Sequence, residues 1–272
     1  MSVSKTANDP HERKYRAVGF CLAFLVYVFL LAPIVVTIPM AFGSANALTF
    51  PPDSYSFDLF KIFFSSPGWI DPLLESLRVA LAATAIAMFA GIPAGYWIAR
   101  HEFVGRRVIV GVLMSPLVIP AIVTALGLYL YLAYLKVSGT TSAIVVGHVT
   151  LTLPFVMVMV MAGVQKLDRN LEFGAQLMGA GQIRMFLTVV LPQLVPSLVS
   201  AAVFSFLLSF DEVVISWFLA GPNTITLPVR MYSALEWELS PVIAAVSTLL
   251  TVVSLFVCLI AVALKKSTPF DG

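Results

Sequence analysis

The sequence predicts an all-α protein that crosses a membrane several times. Three observations lead there. Of 272 residues, 60% are hydrophobic and only 11% are charged, against roughly 25% charged in an average soluble protein. Mean hydropathy is +0.97. The apolar residues fall in long runs without charge, and only helices or closed barrels satisfy their backbone groups inside lipid. A soluble enzyme, a nucleic-acid binder and a disordered chain are all excluded. The net charge of +2 provides no global basic field for nucleic acid. Cys21 and Cys258 both lie in apolar runs and imply no disulfide framework.

Crossing about 30 Å of hydrocarbon takes about 20 apolar residues in a helix. Six runs meet this requirement, over residues 17–42, 79–99, 108–135, 143–165, 196–219 and 242–264. The fourth begins after the turn residues Ser138, Gly139, Thr140 and Thr141. The fifth differs from the others in carrying Asp211 and Glu212. Residues 1–16 and 265–272 are then the two ends, on the same side.

Basic residues orient the bundle. With both ends in the cytoplasm, twelve Lys and Arg lie inside and four, Lys61, Arg78, Lys136 and Arg230, outside. Cytoplasmic segments hold that excess, so the expected topology is N-in, C-in. Ala45-Asn46-Ala47 looks like a signal-peptidase site, but the preceding apolar run of about 25 residues exceeds the 7–15 of a signal peptide. The first run is read as an uncleaved anchor. Pro33, Pro39, Pro93, Pro116, Pro120 and Pro154 lie inside the runs; either they reflect the general abundance of proline in membrane helices or they kink helices around a path. Gly91 and Gly95 form a small-residue stripe that permits close helix approach.

Between the fourth and fifth runs, residues 166–195 form a loop longer than a connection needs. Asp168 or Asn170 can cap a helix start. Leu171, Ala175 and Met178 then share one face, and Gly179 is placed to end the helix. Ile183, Phe186, Leu187 and Val190 suggest a second short amphipathic helix, and Pro192 and Pro196 restart the chain into the fifth span. On spacing alone the hairpin either packs on its own bundle or docks into a partner's groove.

This loop resembles the coupling loop of type I ABC importer permeases, whose pattern is Glu-Ala-Ala, three residues, Gly, nine residues, Ile-x-Leu-Pro. Gly174-Ala175, Gly179 and Val189-Val190-Leu191-Pro192 fall in register. Phe173 stands where the family has Glu, Gly174 where it has the first Ala, and Val189 where it has Ile. Glu172 precedes that position by one residue, which on a helix is about 100° of rotation, so whether it replaces the missing glutamate stays open. Downstream, Ser209–Leu250 resembles spermidine/putrescine-type permeases of the second-subunit kind. The residue-level likeness runs from about Leu167 to Leu250.

The resemblance implies the type I ABC importer permease fold and residence in the inner membrane. It also implies a second homologous permease, two ATP-binding cassette subunits and a periplasmic or extracellular substrate-binding protein as partners, besides membrane lipid. ATP and Mg would be used by the partner subunits, and this chain would hold no cofactor. The residues it assigns to ATPase coupling are Glu172, Phe173, Gly174, Ala175, Gly179, Ala180, Phe186, Leu191 and Pro192. ATP binding would move the Glu172–Leu187 lever and open the bundle outward, and hydrolysis would reset it.

Asp211 and Glu212 are the candidate substrate-pathway residues. A charge at the bilayer centre costs about 2.5–3.5 kcal/mol on insertion scales, so such groups face water or a cationic partner. Counted from Pro196, Asp211 lies about 22 Å along the helix, past mid-membrane. Adjacent carboxylates point about 100° apart, so one is expected on the path and the other as a cap or in a pair, for which Arg230 is the candidate. An anionic wall favours a cationic solute such as a polyamine; an opine, an aminophosphonate or an iron complex are the alternatives. Tyr129, Tyr131, Tyr134 and Trp217 supply either cation–π contacts or an interfacial belt. His148 is read as a packed, hydrogen-bonded ring.

The outer loops carry Asp53, Asp58, Asp71, Glu75, Glu236 and Glu238. They either meet the binding protein or cap the bundle. No GxxxxGK[ST], HExxH or GxSxG pattern occurs, so the chain is expected to be a transport subunit without metal or covalent chemistry, with a membrane enzyme as the remote alternative.

Overall fold

Proline and glycine set the breaks between helices in the computed structural model, which describes residues 10–44 and 49–266. No strand occurs among the described residues. Ala45-Asn46-Ala47, Lys5 and the last six residues lie outside them, as do the side chains of Arg13, Lys14 and Cys258. The chain divides into two units, residues 1–63 with 239–251 and residues 64–238 with 252–272.

The first unit holds α1 (Pro10–Ala41) and most of α2 (Asp58–Ser65). α1 covers the first expected span and starts earlier; its apolar part, Val18–Ala41, is exposed over most of its length. Thr37 donates to the Pro33 carbonyl at 2.7 Å. After α1 the chain turns back through an aromatic cluster. Phe42 meets Phe57 edge-on at 5.2 Å and Phe60 at 5.3 Å, and Ser56 N–H donates to the Phe42 carbonyl.

The second unit is built on α3 (Pro67–Arg100), α6 (Thr141–Gln165) and α9 (Leu191–Phe210). α3 packs along α6, and α9 lies against both. The Gly91/Gly95 stripe makes the first packing possible: a Cβ on Gly91 would sit 2.8 Å from Val156 Cγ1, and one on Gly95 3.0 Å from Val160 Cβ. Ala87, Val156, Val160, Val164, Val190 and Leu194 form the core there. A second core joins Val79, Ala125, Leu132, Ile144, Ile215 and Leu219.

The expected second span, 79–99, is the C-terminal part of a longer helix. α3 has 34 residues, about 51 Å, and its first turns carry Asp71, Glu75 and Arg78. The fourth expected span is α6, capped where Thr140 Oγ1 accepts from Ala143 N–H at 3.2 Å.

Two expectations are corrected. The third run is not one helix: Arg106–Leu117 and Ala121–Tyr134 meet at 99°. Pro120 lacks an N–H, and a residue preceding proline disfavours the α conformation, so the helix stops before it. These segments are α4 (Arg106–Met114), with a 3₁₀ turn after it, and α5 (Ala121–Tyr134). The fifth run is helical from Gln182 to Phe210, earlier than 196–219. Pro192 does not restart the chain, because a π turn over Phe186–Val190 widens the helix just before it and relieves the clash proline makes with the preceding turn.

Helix α9 ends at Phe210, and α10 (Val214–Leu219) follows after a break. α11 (Leu227–Ser233) and a π turn over Ala234–Glu238 come next. α12 spans Val242–Lys266. Among the described residues, four helices are long and apolar enough to cross a membrane, and the bent α4–α5 pair would make a fifth; the apolar stretch of α12 is the shorter Val242–Phe256.

Candidate functional site

The loop after α6 folds as a helical hairpin. Asp168 is the cap, its Oδ1 accepting from Asn170 N–H at 2.9 Å, and starts α7 (Arg169–Leu177). α7 ends where Gly179 takes φ +88°. Gly179 N–H donates to Gln176 O at 2.9 Å and Ala180 N–H to Ala175 O at 3.0 Å, the paired bonds of a Schellman end. The second arm, α8 (Gln182–Met185), is not a separate amphipathic helix: it runs through the π turn into α9. Ile183 and Leu187 are exposed, while Met185 and Val190 are buried.

The tip is apolar and bare. Leu177 and Met178 are each 90% exposed, and Phe173 57%. Nothing lies within 4 Å of a Cβ placed on Gly174 or Gly179.

Glu172 turns the other way. It is 9% exposed, forms an ion pair with the Arg100 guanidinium and accepts from the Tyr96 hydroxyl at 2.8 Å. Arg100 also donates to Leu167 O at 3.3 Å. The Tyr96 ring packs on Phe186, 4.9 Å between centroids. Removing one partner of a buried ion pair costs about 3–5 kcal/mol, so these contacts fix the hairpin to the end of α3. A cavity of about 200 Å³ lies beside them, lined in part by Trp97, Phe173 and Gln182.

The α9–α10 break holds the carboxylates, and here too the structure changes the expectation. Asp211 and Glu212 are not in mid-helix. Asp211 follows the last turn of α9, its N–H bonded to Leu207 O at 3.0 Å, and its side chain is exposed, without a polar partner among the described residues. Glu212 has a side chain only 8% exposed and accepts from Ser216 N–H at 3.1 Å, capping α10. Arg230 pairs with neither: it makes two bonds to Glu238, 2.7 and 3.0 Å, with its guanidinium 5.0 Å from the Trp69 ring centre. Arg230 holds the Glu238 carboxyl below the usual range.

His148 spans the break, a role its sequence position does not reveal. It is 1% exposed. Nδ1 is 2.7 Å from Ser209 Oγ on α9, and Nε2 is 2.9 Å from Ser216 Oγ on α10. Glu212 Oε2 lies 3.7 Å from Nε2. Tyr129, Tyr131 and Tyr134 are exposed on α5, and Trp217 meets Tyr232 edge-on at 5.3 Å.

At the other end of α3, Glu75 is buried, accepts from Thr141 Oγ1 at 2.5 Å and faces Arg78 at 3.5 Å. A cavity of about 530 Å³ opens there, with Asp71, Asn223 and Arg230 in its lining.

Residues 91–267, which include the hairpin and the broken helix, match the family described as Binding-protein-dependent transport system inner membrane component. The chain belongs to that family. It is an inner-membrane permease of an ABC importer. The permease is 27% identical over 233 residues to the spermidine/putrescine transport system permease protein PotC of Haemophilus influenzae, covering 85% of this chain and 90% of that one. It is 28% identical to the putrescine transport system permease protein PotI of Escherichia coli K12, covering 84% of each. Among solved structures, the permease resembles a chain of a bacterial ABC transporter involved in the import of the acidic polysaccharide alginate. The TM-score is 0.74 and the identity 14%, over 97% of this chain and 100% of that one. A chain of the MetNI methionine ABC transporter in an inward facing conformation gives a TM-score of 0.60 at 18% identity, over 78% and 98%. These two establish the fold, that of the type I ABC importer permeases.

Proposed function

We propose that this permease moves a small cationic solute of the polyamine class by alternating access, with Asp211 on the route. The observation that carries the reading is the exposed Asp211 carboxylate, without a polar partner among the described residues, at the break between α9 and α10. A break in a spanning helix is tolerated where it lines a water-filled or protein-enclosed space, and a carboxylate there lowers the free energy of an ammonium group. The relatives named for spermidine and putrescine support the same cargo.

The working assembly in this reading contains a second homologous permease, two ATP-binding subunits and an external substrate-binding protein. ATP and Mg act in the ATP-binding subunits. The six segments lie with both ends in the cytoplasm, and the exposed hairpin tip at Phe173, Leu177 and Met178 seats in an ATP-binding subunit. Motion there reaches the bundle through a packed joint that switches between discrete arrangements.

Calorimetry on the cognate binding protein tests the cargo. Spermidine or putrescine should bind at micromolar concentration or tighter, and loaded protein should stimulate ATP hydrolysis by the reconstituted complex. Binding of an opine, an aminophosphonate or an iron complex instead, with polyamines inert, would overturn the cargo while leaving the importer intact.

A further inference from the structure

The one acidic side chain of α7, Glu172, is turned inward, and its partners Tyr96 and Arg100 belong to the end of α3. Tyr96 and Arg100 are four residues apart, so they share one face of that helix. Tyr96 reaches both arms of the hairpin: its hydroxyl donates to Glu172 on the first arm, and its ring packs against Phe186 on the second. Arg100 holds the first arm at Glu172 and at the Leu167 carbonyl. In return, Arg169 donates to the Arg100 carbonyl at 3.4 Å. The neighbouring Phe173 points outward. One residue of helix rotation has therefore separated the carboxylate from the exposed face.

We infer that Glu172 and Arg100 form an internal strut that makes the hairpin and α3 move as one piece, so that a displacement at the tip enters the bundle through α3. Glu172 is thus a positioning residue and not a contact to the ATP-binding subunit. This rests on the hairpin being the coupling element, and extends it by naming the route out of the hairpin. Because α3 packs on both α6 and α9, a rigid α3–hairpin unit carries the motion to the helix break at Asp211.

The test uses the full reconstituted importer with Glu172→Gln, Arg100→Gln and the double variant. Glutamine keeps the shape of the carboxylate and still accepts from Tyr96. Either single change should leave the ATP-binding subunits bound and raise the ATP consumed per solute imported several-fold. The double variant should be no worse than the poorer single, because both remove one strut. Multiplying defects would overturn the inference, and so would release of the ATP-binding subunits by Glu172→Gln, which would make that residue a docking contact. If Arg100→Gln does not assemble, Tyr96→Phe with Glu172→Ala completes the cycle: losing the carboxylate already removes the Tyr96 bond, so the double variant should be no worse than Glu172→Ala alone, and multiplying defects would overturn the inference. Leu177→Asp separates the two readings: if it leaves the ATP-binding subunits bound, docking at the tip fails, whatever the strut variants show.

Discussion

His148 touches Ser209 and Ser216 at once, one through each ring nitrogen, at 2.7 and 2.9 Å. The two serines stand on opposite sides of the α9–α10 break, so one side chain of α6 sets the geometry of both ends. Each hydroxyl is buried and cannot turn to water. Losing the ring leaves two buried polar groups unsatisfied, at about 1–3 kcal/mol each. His148→Ala should therefore lower the melting temperature of the purified permease by several degrees and reduce uptake. His148→Asn retains one donor and one acceptor and should recover part of both. An unchanged melting curve for His148→Ala would show that the break is held by something else.

The two carboxylates within that break should separate in their effects. Asp211→Asn removes an exposed charge without disturbing packing. It should lower uptake of a cationic solute about tenfold, the equivalent of about 1.4 kcal/mol, with little change in stability. Glu212→Gln keeps an acceptor for Ser216 N–H and should have the milder effect on uptake. Normal uptake with Asp211→Asn would remove Asp211 from the route.

Gly179 predicts a conformational defect with no steric component. Its φ of +88° costs an ordinary residue about 1–2 kcal/mol, yet the space around it is open. Gly179→Val should uncouple ATP hydrolysis from uptake while the complex still assembles, and Gly179→Asn should be milder because asparagine tolerates that conformation. Gly174→Ala, in open space within α7, should be neutral. Equal defects at 174 and 179 would point to crowding by a partner and not to the turn.

The Arg230–Glu238 pair gives a pH prediction outside the spans. Arg230 depresses the Glu238 pKa in the folded protein, so the pair's stabilisation is fully present above the unfolded value of about 4.3. It fades as the pH falls through the lowered folded value. Arg230 also lies over Trp69, so tryptophan fluorescence should show an acid transition below about 4.3 that Glu238→Gln abolishes. Glu238 is largely exposed, so the effect on stability should be small. Identical titrations in the two proteins would refute the assignment.

The sequence predicts segments well where hydrophobicity alone defines them. The first, second and fourth runs became α1, the end of α3, and α6, and the Gly91/Gly95 stripe became a real helix contact. Pro116 and Pro120 were visible as helix breakers, but hydropathy stays high through a bend, so the third run read as straight. At Pro192 the error had the opposite sign: a π turn absorbs a proline that otherwise looks like a stop. The hairpin and its glycine end were legible from capping and spacing. The pairing of Glu172 with Arg100 was not, because no local pattern links residues 72 positions apart. His148 was recognisable as a packed ring, but its two partners come from helices whose break no periodicity announces.

The widened turn at Phe186–Val190 also sets phase. It holds one more residue per turn than its neighbours, so everything upstream is rotated relative to everything downstream by about 100°. Met185 and Phe186 reach α3 only at that setting. A one-residue deletion in this stretch would leave every contact chemically possible but swing the hairpin a quarter-turn off its seat. The segment is a mechanical index, and its length matters at least as much as the identity of its side chains.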